Sequence, residues 1–189
     1  MQKILLALIL ISSPAALAAQ SVSLAGAVRS NALAPEQPRL SAAAWARIDA
    51  RIASAAERGV PAAPMRSRAA DGEARLASES RIHSILESTE TDLRTAQRTF
   101  ARQSRWASEA EIISAADALG YGASEAQVAS VVRRAPADRP LVVALTTLAA
   151  MVGRGDSPER ATGVVEGQLA AGASDASIAA SAGGSRRAP

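Results

Sequence analysis

The sequence predicts an all-α protein of short capped helices, packed as an orthogonal bundle or stacked as a solenoid-like array of helical hairpins. Three observations predict it. From Trp45 to Ile178 apolar residues recur three and four positions apart, the spacing that gathers side chains on one face of a helix. Serine or proline stands where each stripe begins and can cap or start the first turn. Between stripes a short signature recurs: glycine, one intervening residue, then serine or proline. Its copies are Gly59-Val60-Pro61, Gly122-Ala123-Ser124, Gly155-Asp156-Ser157 and Gly172-Ala173-Ser174, with Leu76-Ala77-Ser78 as a degenerate one.

In chain order, Ser41 precedes Trp45, Ile48, Ile52 and Ala55, a helix that ends near Gly59 and leaves Trp45 partly buried. Pro61 initiates a brief helix running towards Gly72. Ser78 opens the longest helix, whose stripe Ile82, Leu86, Thr89, Leu93, Ala96 and Phe100 makes a heptad seam with one wet face. After a break near Ser104, Ser108 and Glu111 form a capping box ahead of Ile112, Ile113, Ala116 and Leu119. A second box, Ser124 with Gln127, opens the helix of Val128, Val131 and Val132. Asp138 as N-cap and Pro140 in the first turn are expected to start the most apolar helix, Leu141 to Val152, which belongs at the centre of the core. Ser157-Pro158 starts the helix of Ala161, Val164, Val165 and Leu169, and Ser174 the last, with Ile178.

The signature has a physical reason. A glycine closes one helix in the left-handed conformation, and the residue two positions on caps the next. Pro61 and Ser78 lie 17 positions apart, as do Ser157 and Ser174, while Ser124 and Ser157 lie 33 apart, near twice that unit. Pairs of such short helices cannot bury their apolar faces alone and must stack.

Around this helical domain, expected over 41–182, the ends read differently. Lys3, the apolar run Ile4 to Ile11, Pro14 and Ala16-Leu17-Ala18 read as a signal peptide over 1–18, cleaved after Ala18 or Ala19, which implies a periplasmic or secreted product with no transmembrane anchor after cleavage. Residues 19–40 read as a flexible linker and 183–189 as a disordered tail. The chain has no cysteine, so no disulfide staples the fold. Aromatics make up 2% of it, so close approach of small side chains must replace bulk in the core. The pI of 10.4 reflects few titrating groups rather than a strong field, because the formal charge is +3 and Lys3 leaves with the leader. Acids interspersed with the arginines argue against nucleic acid as a partner.

The run Gly59-Val60-Pro61-Ala62-Ala63-Pro64-Met65-Arg66-Ser67-Arg68-Ala69-Ala70-Asp71-Gly72, continuing to Ile82, resembles a segment of uncharacterised alanine-rich exported bacterial proteins. Those proteins carry a glycine-apolar-proline opening, a second proline three on, a basic residue and an acid-glycine pair; Arg68 and Asp71-Gly72 hold the matching places. The resemblance implies a shared helical architecture and brings no activity with it.

The sequence offers no catalytic, cofactor-binding or metal-binding residue set. His83 is the only histidine and is expected as a half-exposed imidazole near Glu87; with no cysteine a zinc site lacks ligands, and Glu87, Glu90 and Asp92 on a helix make no calcium loop. Ser124 and Ser157 lack the closing glycine of a nucleophile elbow and read as caps. Asp49, Asp71, Glu73 and Asp117 offer carboxylates for glycoside cleavage, but no spacing selects a pair. Gly163 and Gly167, four apart on one helix, are expected to allow tight packing within the chain, with a dimer contact as the alternative. The stripe Arg94, Arg98, Arg102 and Arg105 with Trp106 reads as a solvated face that could instead dock on an anionic surface. The expectation is a non-enzymatic interaction or structural module of the bacterial cell envelope whose partner is another protein or a second copy. The alternatives are a carboxylate-dependent hydrolase of cell-wall material and a binder of anionic envelope surfaces.

Overall fold

Serine hydroxyls start most of the helices seen in the computed structural model, which describes residues 40–183. The elements are α1 (Ala42–Glu57), α2 (Ala62–Ala74), α3 (Glu79–Arg102), α4 (Glu109–Gly120), α5 (Glu125–Arg134), α6 (Val142–Gly153), α7 (Pro158–Ala170) and α8 (Asp175–Gly183), with no strand among the described residues. The all-α class is as predicted. The leader over 1–18, the linker except its last residue and the tail beyond Gly183 lie outside the described residues.

Ser41 Oγ accepts the Ala44 N–H at 3.2 Å, and Ser78, Ser157 and Ser174 each accept the N–H three residues on at 3.3 Å. Both capping boxes close in both directions. Two starts differ from expectation. Pro61 is the N-cap of α2 rather than its first residue, and the helix runs past Gly72 to Ala74. Gly72 is there for α3: a Cβ on it would lie 2.8 Å from Ile82 Cγ1, closer than atoms pack. Asp138 does not cap α6. It sits in a turn closed by Arg139 N–H to Pro136 C=O at 3.2 Å, three residues too early, and Leu141 is the N-cap without a side-chain bond of its own. The carboxylate of Glu111 reaches from α4 and accepts the Leu141 N–H at 2.9 Å instead.

The helix ends share one geometry. Positive φ occurs at Gly59 (80°), Leu76 (58°), Ser104 (50°), Gly122 (108°), Gly155 (98°) and Gly172 (66°). At each, the next residue's N–H bonds back across the turn, for example Val60 to Ala55 C=O at 3.1 Å, Ala77 to Gly72 at 2.9 Å and Ala123 to Ala118 at 3.0 Å, the Schellman closure. The signature therefore marks real handovers, Leu76 among them. Ser104 is a further one that the sequence shows only as a break. Helix α5 ends otherwise, because Pro136 holds Ala135 extended.

Leucine at φ 58° is held where a Cβ crowds the following carbonyl, at a cost of about 1–2 kcal/mol. Its side chain is exposed, so little packing offsets that. Replacing Leu76 by glycine is expected to raise stability by about 0.5–1 kcal/mol after the added freedom of the unfolded chain is deducted, measured by urea denaturation. Gly122→Ala, with nothing within 4 Å of the added Cβ, is expected to move the same midpoint the other way through backbone strain alone.

Helices pack on those one and two along the chain. In one row α1 lies on α3, α3 on α5 and α5 on α7; in the other α4 lies on α6 and α6 on α8, with α2 against α1 and α3. Between them a continuous core holds Ile48, Ile52, Met65, Leu86, Phe100, Val128, Leu145 and Ile178, all buried. Helix α6, the most apolar, is central as expected, covered by α4, α7 and α8. Polar bonds repeat the pattern: Arg47–Glu79, Arg58–Glu90, Gln127–Glu159 and Thr146–Ser114 each join residues 32 apart. No described helix is long and apolar enough to cross a membrane.

Candidate functional site

A cleft between α2, α3 and α4 brings charged side chains from all three helices together. Helix α2 contributes Arg68, α3 contributes Asp92 and α4 contributes Asp117, each placed by a helix whose opposite face is in the core. Arg68 Nη2 donates to Asp117 Oδ1 at 2.9 Å, with both side chains partly exposed. Asp92 makes no hydrogen bond or ion pair among the described residues. Burial pushes its carboxyl above the usual aspartate value, an effect the Arg68 charge opposes and the Asp117 charge adds to. The cleft encloses about 170 Å³. Its apolar wall is formed by Ile85, Leu93 and Ile113.

A second feature is a presented aromatic. Trp106, in the connection between α3 and α4, is 84% exposed. Its neighbour Arg105 donates to Pro136 C=O at 3.0 Å and to Arg139 C=O, which ties this connection to the one between α5 and α6. Arg139 in turn donates to Ala173 C=O at 2.6 Å and to Asp175 at 2.8 Å, tying that connection to the one between α7 and α8. The connections thus brace one another, and the indole stands out from a fixed base. Beside it a groove runs past Val132 and Arg133.

The other sequence candidates fall into place by geometry. Of the arginine stripe, Arg94 pairs with Glu90 at 3.0 Å, Arg102 pairs with Glu125 of α5, and Arg105 is engaged as above; among the described residues Arg98 reaches only the Thr95 hydroxyl. Glu90 is the centre of a cluster, meeting Arg58 at 2.8 Å and Arg51 at 3.5 Å as well. The hydrogen bond from Arg58 holds its carboxyl below the usual range despite burial, helped by the charges of Arg58, Arg94 and Arg51. His83 is half-buried, but it turns to Glu79 at 3.6 Å rather than to Glu87. Ser124 and Ser157 serve as caps, and Ser124 Oγ also donates to Gln127 Oε1 at 3.0 Å.

Among the carboxylates, Asp49 and Asp71 are exposed and apart from the cleft, while Glu73 accepts the indole N–H of half-buried Trp45 at 2.9 Å. Only Asp117 enters the cleft, and its companion is Asp92. No spacing joins residues 49 positions apart, as Arg68 and Asp117 are, so the site was invisible to a reading of neighbours. The tight packing expected at Gly163 and Gly167 is not there: a Cβ on either meets nothing within 4 Å, because both face an open groove beside Arg133 and Arg134. Among the described residues no three histidine or acidic side chains converge to hold a metal ion. Compared with known proteins, the chain matches no family model, no curated protein and no solved structure.

Proposed function

We propose that this chain is a non-enzymatic interaction module of the bacterial cell envelope, an array of helical hairpins repeating about every 33 residues that engages another protein through the face around Trp106. The exposed indole carries this reading. Tryptophan buries the most area of any side chain and dominates contact energetics when it is covered, so an outward indole on a braced connection is a contact residue awaiting its partner. Arg133 beside it, which has no ion-pair partner among the described residues, favours an acidic partner surface. The repeat is supported by the polar bonds at separations of 32 and by the Arg105 to Arg139 and Arg139 to Ala173 bonds, each at 34. The envelope location rests on the leader pattern in 1–18 and on the resemblance of the segment from Gly59 to Ile82.

Because Trp106 makes so little contact with its own chain, Trp106→Ala is expected to change stability by less than about 0.5 kcal/mol. Tagged protein recovered from envelopes is expected to enrich a defined partner that the Trp106→Ala protein loses. An identical set of enriched proteins for both, or none, would defeat the proposal.

A carboxylate-dependent hydrolase is the second reading, and the meeting of Asp92 with Asp117 favours it. Clearing of purified peptidoglycan that Asp117→Asn abolishes would promote it over the first. Binding to anionic surfaces through the arginine stripe has less in its favour, since Arg94, Arg102 and Arg105 are engaged within the chain.

A further inference from the structure

The cleft between α2, α3 and α4 has two kinds of wall, and their order along it is informative. Ile85, Leu93 and Ile113 supply an apolar side, and Asp92 with Asp117 supplies an anionic end. Asp117 already has a counter-ion in Arg68 at 2.9 Å. Asp92 makes no ion pair among the described residues; burial is the largest influence on its carboxyl, and the Arg68 charge only partly offsets it. Asp92 and Asp117 together share the one positive charge of Arg68, so negative charge is in excess in the cleft. The chain also makes room for this carboxylate: a Cβ at residue 120 would come within 3.3 Å of Asp92 Oδ2, and glycine stands there.

We infer that the cleft is a binding site for a single alkylammonium group, its methylene stem along Ile85, Leu93 and Ile113 and its charged head on Asp92. Size selects an end group rather than a whole metabolite, because about 170 Å³ is well below the ~300–1,000 Å³ of pockets that enclose drug-sized ligands. Charge selects a monocation. Two carboxylates, one of them already bonded to Arg68, offer too few oxygen donors for a calcium ion, which takes six to eight. Head shape selects ammonium over guanidinium. A planar fork needs a carboxylate presented for two parallel bonds, whereas the compact ammonium has three diverging donors that can share Asp92 and the hydroxyl of Ser88 lining the same cleft. The stem gains from the apolar wall as lysine stems do on protein surfaces. Such a group belongs either to a free amine or to a lysine side chain of a peptide. This inference does not depend on the Trp106 face.

The test is amide NMR of the purified protein titrated with n-butylammonium chloride, with Nα-acetyl-lysine methylamide, and with sodium butyrate at matched ionic strength. Saturable shifts centred on Asp92 and Gly120 are expected with the first two, on the order of millimolar in affinity. Tighter binding of the lysine derivative would assign the site to peptides, and tighter binding of butylammonium to free amines. Asp92→Asn is expected to weaken both about tenfold or more, and Arg68→Gln to strengthen them severalfold by freeing Asp117. Unchanged binding in Asp92→Asn, absence of saturable shifts in the native protein, or shifts produced by butyrate and lost in Arg68→Gln would each overturn the inference. The spectrum of each variant, compared with the native one, reports whether the fold is kept.

Discussion

Replacing Glu111 by alanine is expected to destabilise the protein by about 3–5 kcal/mol, more than any cap substitution elsewhere in the chain. An ordinary N-cap is worth about 1 kcal/mol. Glu111 does more because it is buried and serves two helices at once: Oε2 accepts the Ser108 N–H at 2.9 Å and the Ser108 hydroxyl at 2.8 Å, while Oε1 accepts the Leu141 N–H at 2.9 Å. Truncation leaves those donors without acceptors in a place that water reaches poorly. Glu111→Gln keeps one good acceptor and should cost about half as much. Urea denaturation gives the loss, and faster amide exchange at Leu141 would locate it.

The same carboxylate fixes a pH dependence. Burial alone would raise the Glu111 carboxyl, but the Ser108 and Leu141 N–H groups, the Ser108 hydroxyl and the nearby Arg105 charge outweigh it and hold the group below its usual value. A depressed folded value means that the stabilisation is complete above the unfolded value of 4.5 and is lost as pH falls through the folded one. Glu90 among its arginines has the same sign. The stability difference between the native protein and Glu111→Gln is therefore expected to shrink on acidification below about pH 4.5. A difference that stayed constant there would contradict the assigned ionisation.

Leu145→Ala is the second large effect expected, a loss of about 2–5 kcal/mol. Leu145 is 0% exposed on α6, the helix that α4, α7 and α8 cover together, so few neighbours are free to collapse into the space it leaves. In a chain with 2% aromatic residues, no large ring stands ready to fill that space. Since domains of this size are stable by only about 5–15 kcal/mol, the substitution removes a large share of the total. Thermal unfolding monitored by circular dichroism would show it as a lowered midpoint with the helical signal of the folded state unchanged.

What could be read from the sequence was what residues do to their near neighbours. Ser41, Ser78, Ser108, Ser124, Ser157 and Ser174 cap within three positions, and the glycine signature closes a turn within five, so both were legible. The start of α6 was not, because its acceptor comes from Glu111, 30 positions away. The role of Gly72 was hidden for the same reason: it answers to Ile82 across a helix crossing. Gly163 and Gly167 show the converse failure, since spacing announced a close contact that the tertiary arrangement does not make. In the cleft, Arg68, Asp92 and Asp117 lie on three separate helices, and only folding brings their side chains together. Trp106 could be named from the sequence, whereas its exposure depends on Arg105 anchoring the connection to Pro136 and Arg139.

Placing a photo-crosslinking amino acid at position 106 in the protein expressed in its native cells, with exposed Glu57 on α1 as the comparison position, tests the proposed interaction face most directly. A discrete adduct with one envelope protein, or with a second copy of the chain, formed from position 106 and not from 57, is the predicted result. Irradiation that yields no adduct at 106, or the same diffuse products from both positions, would contradict it.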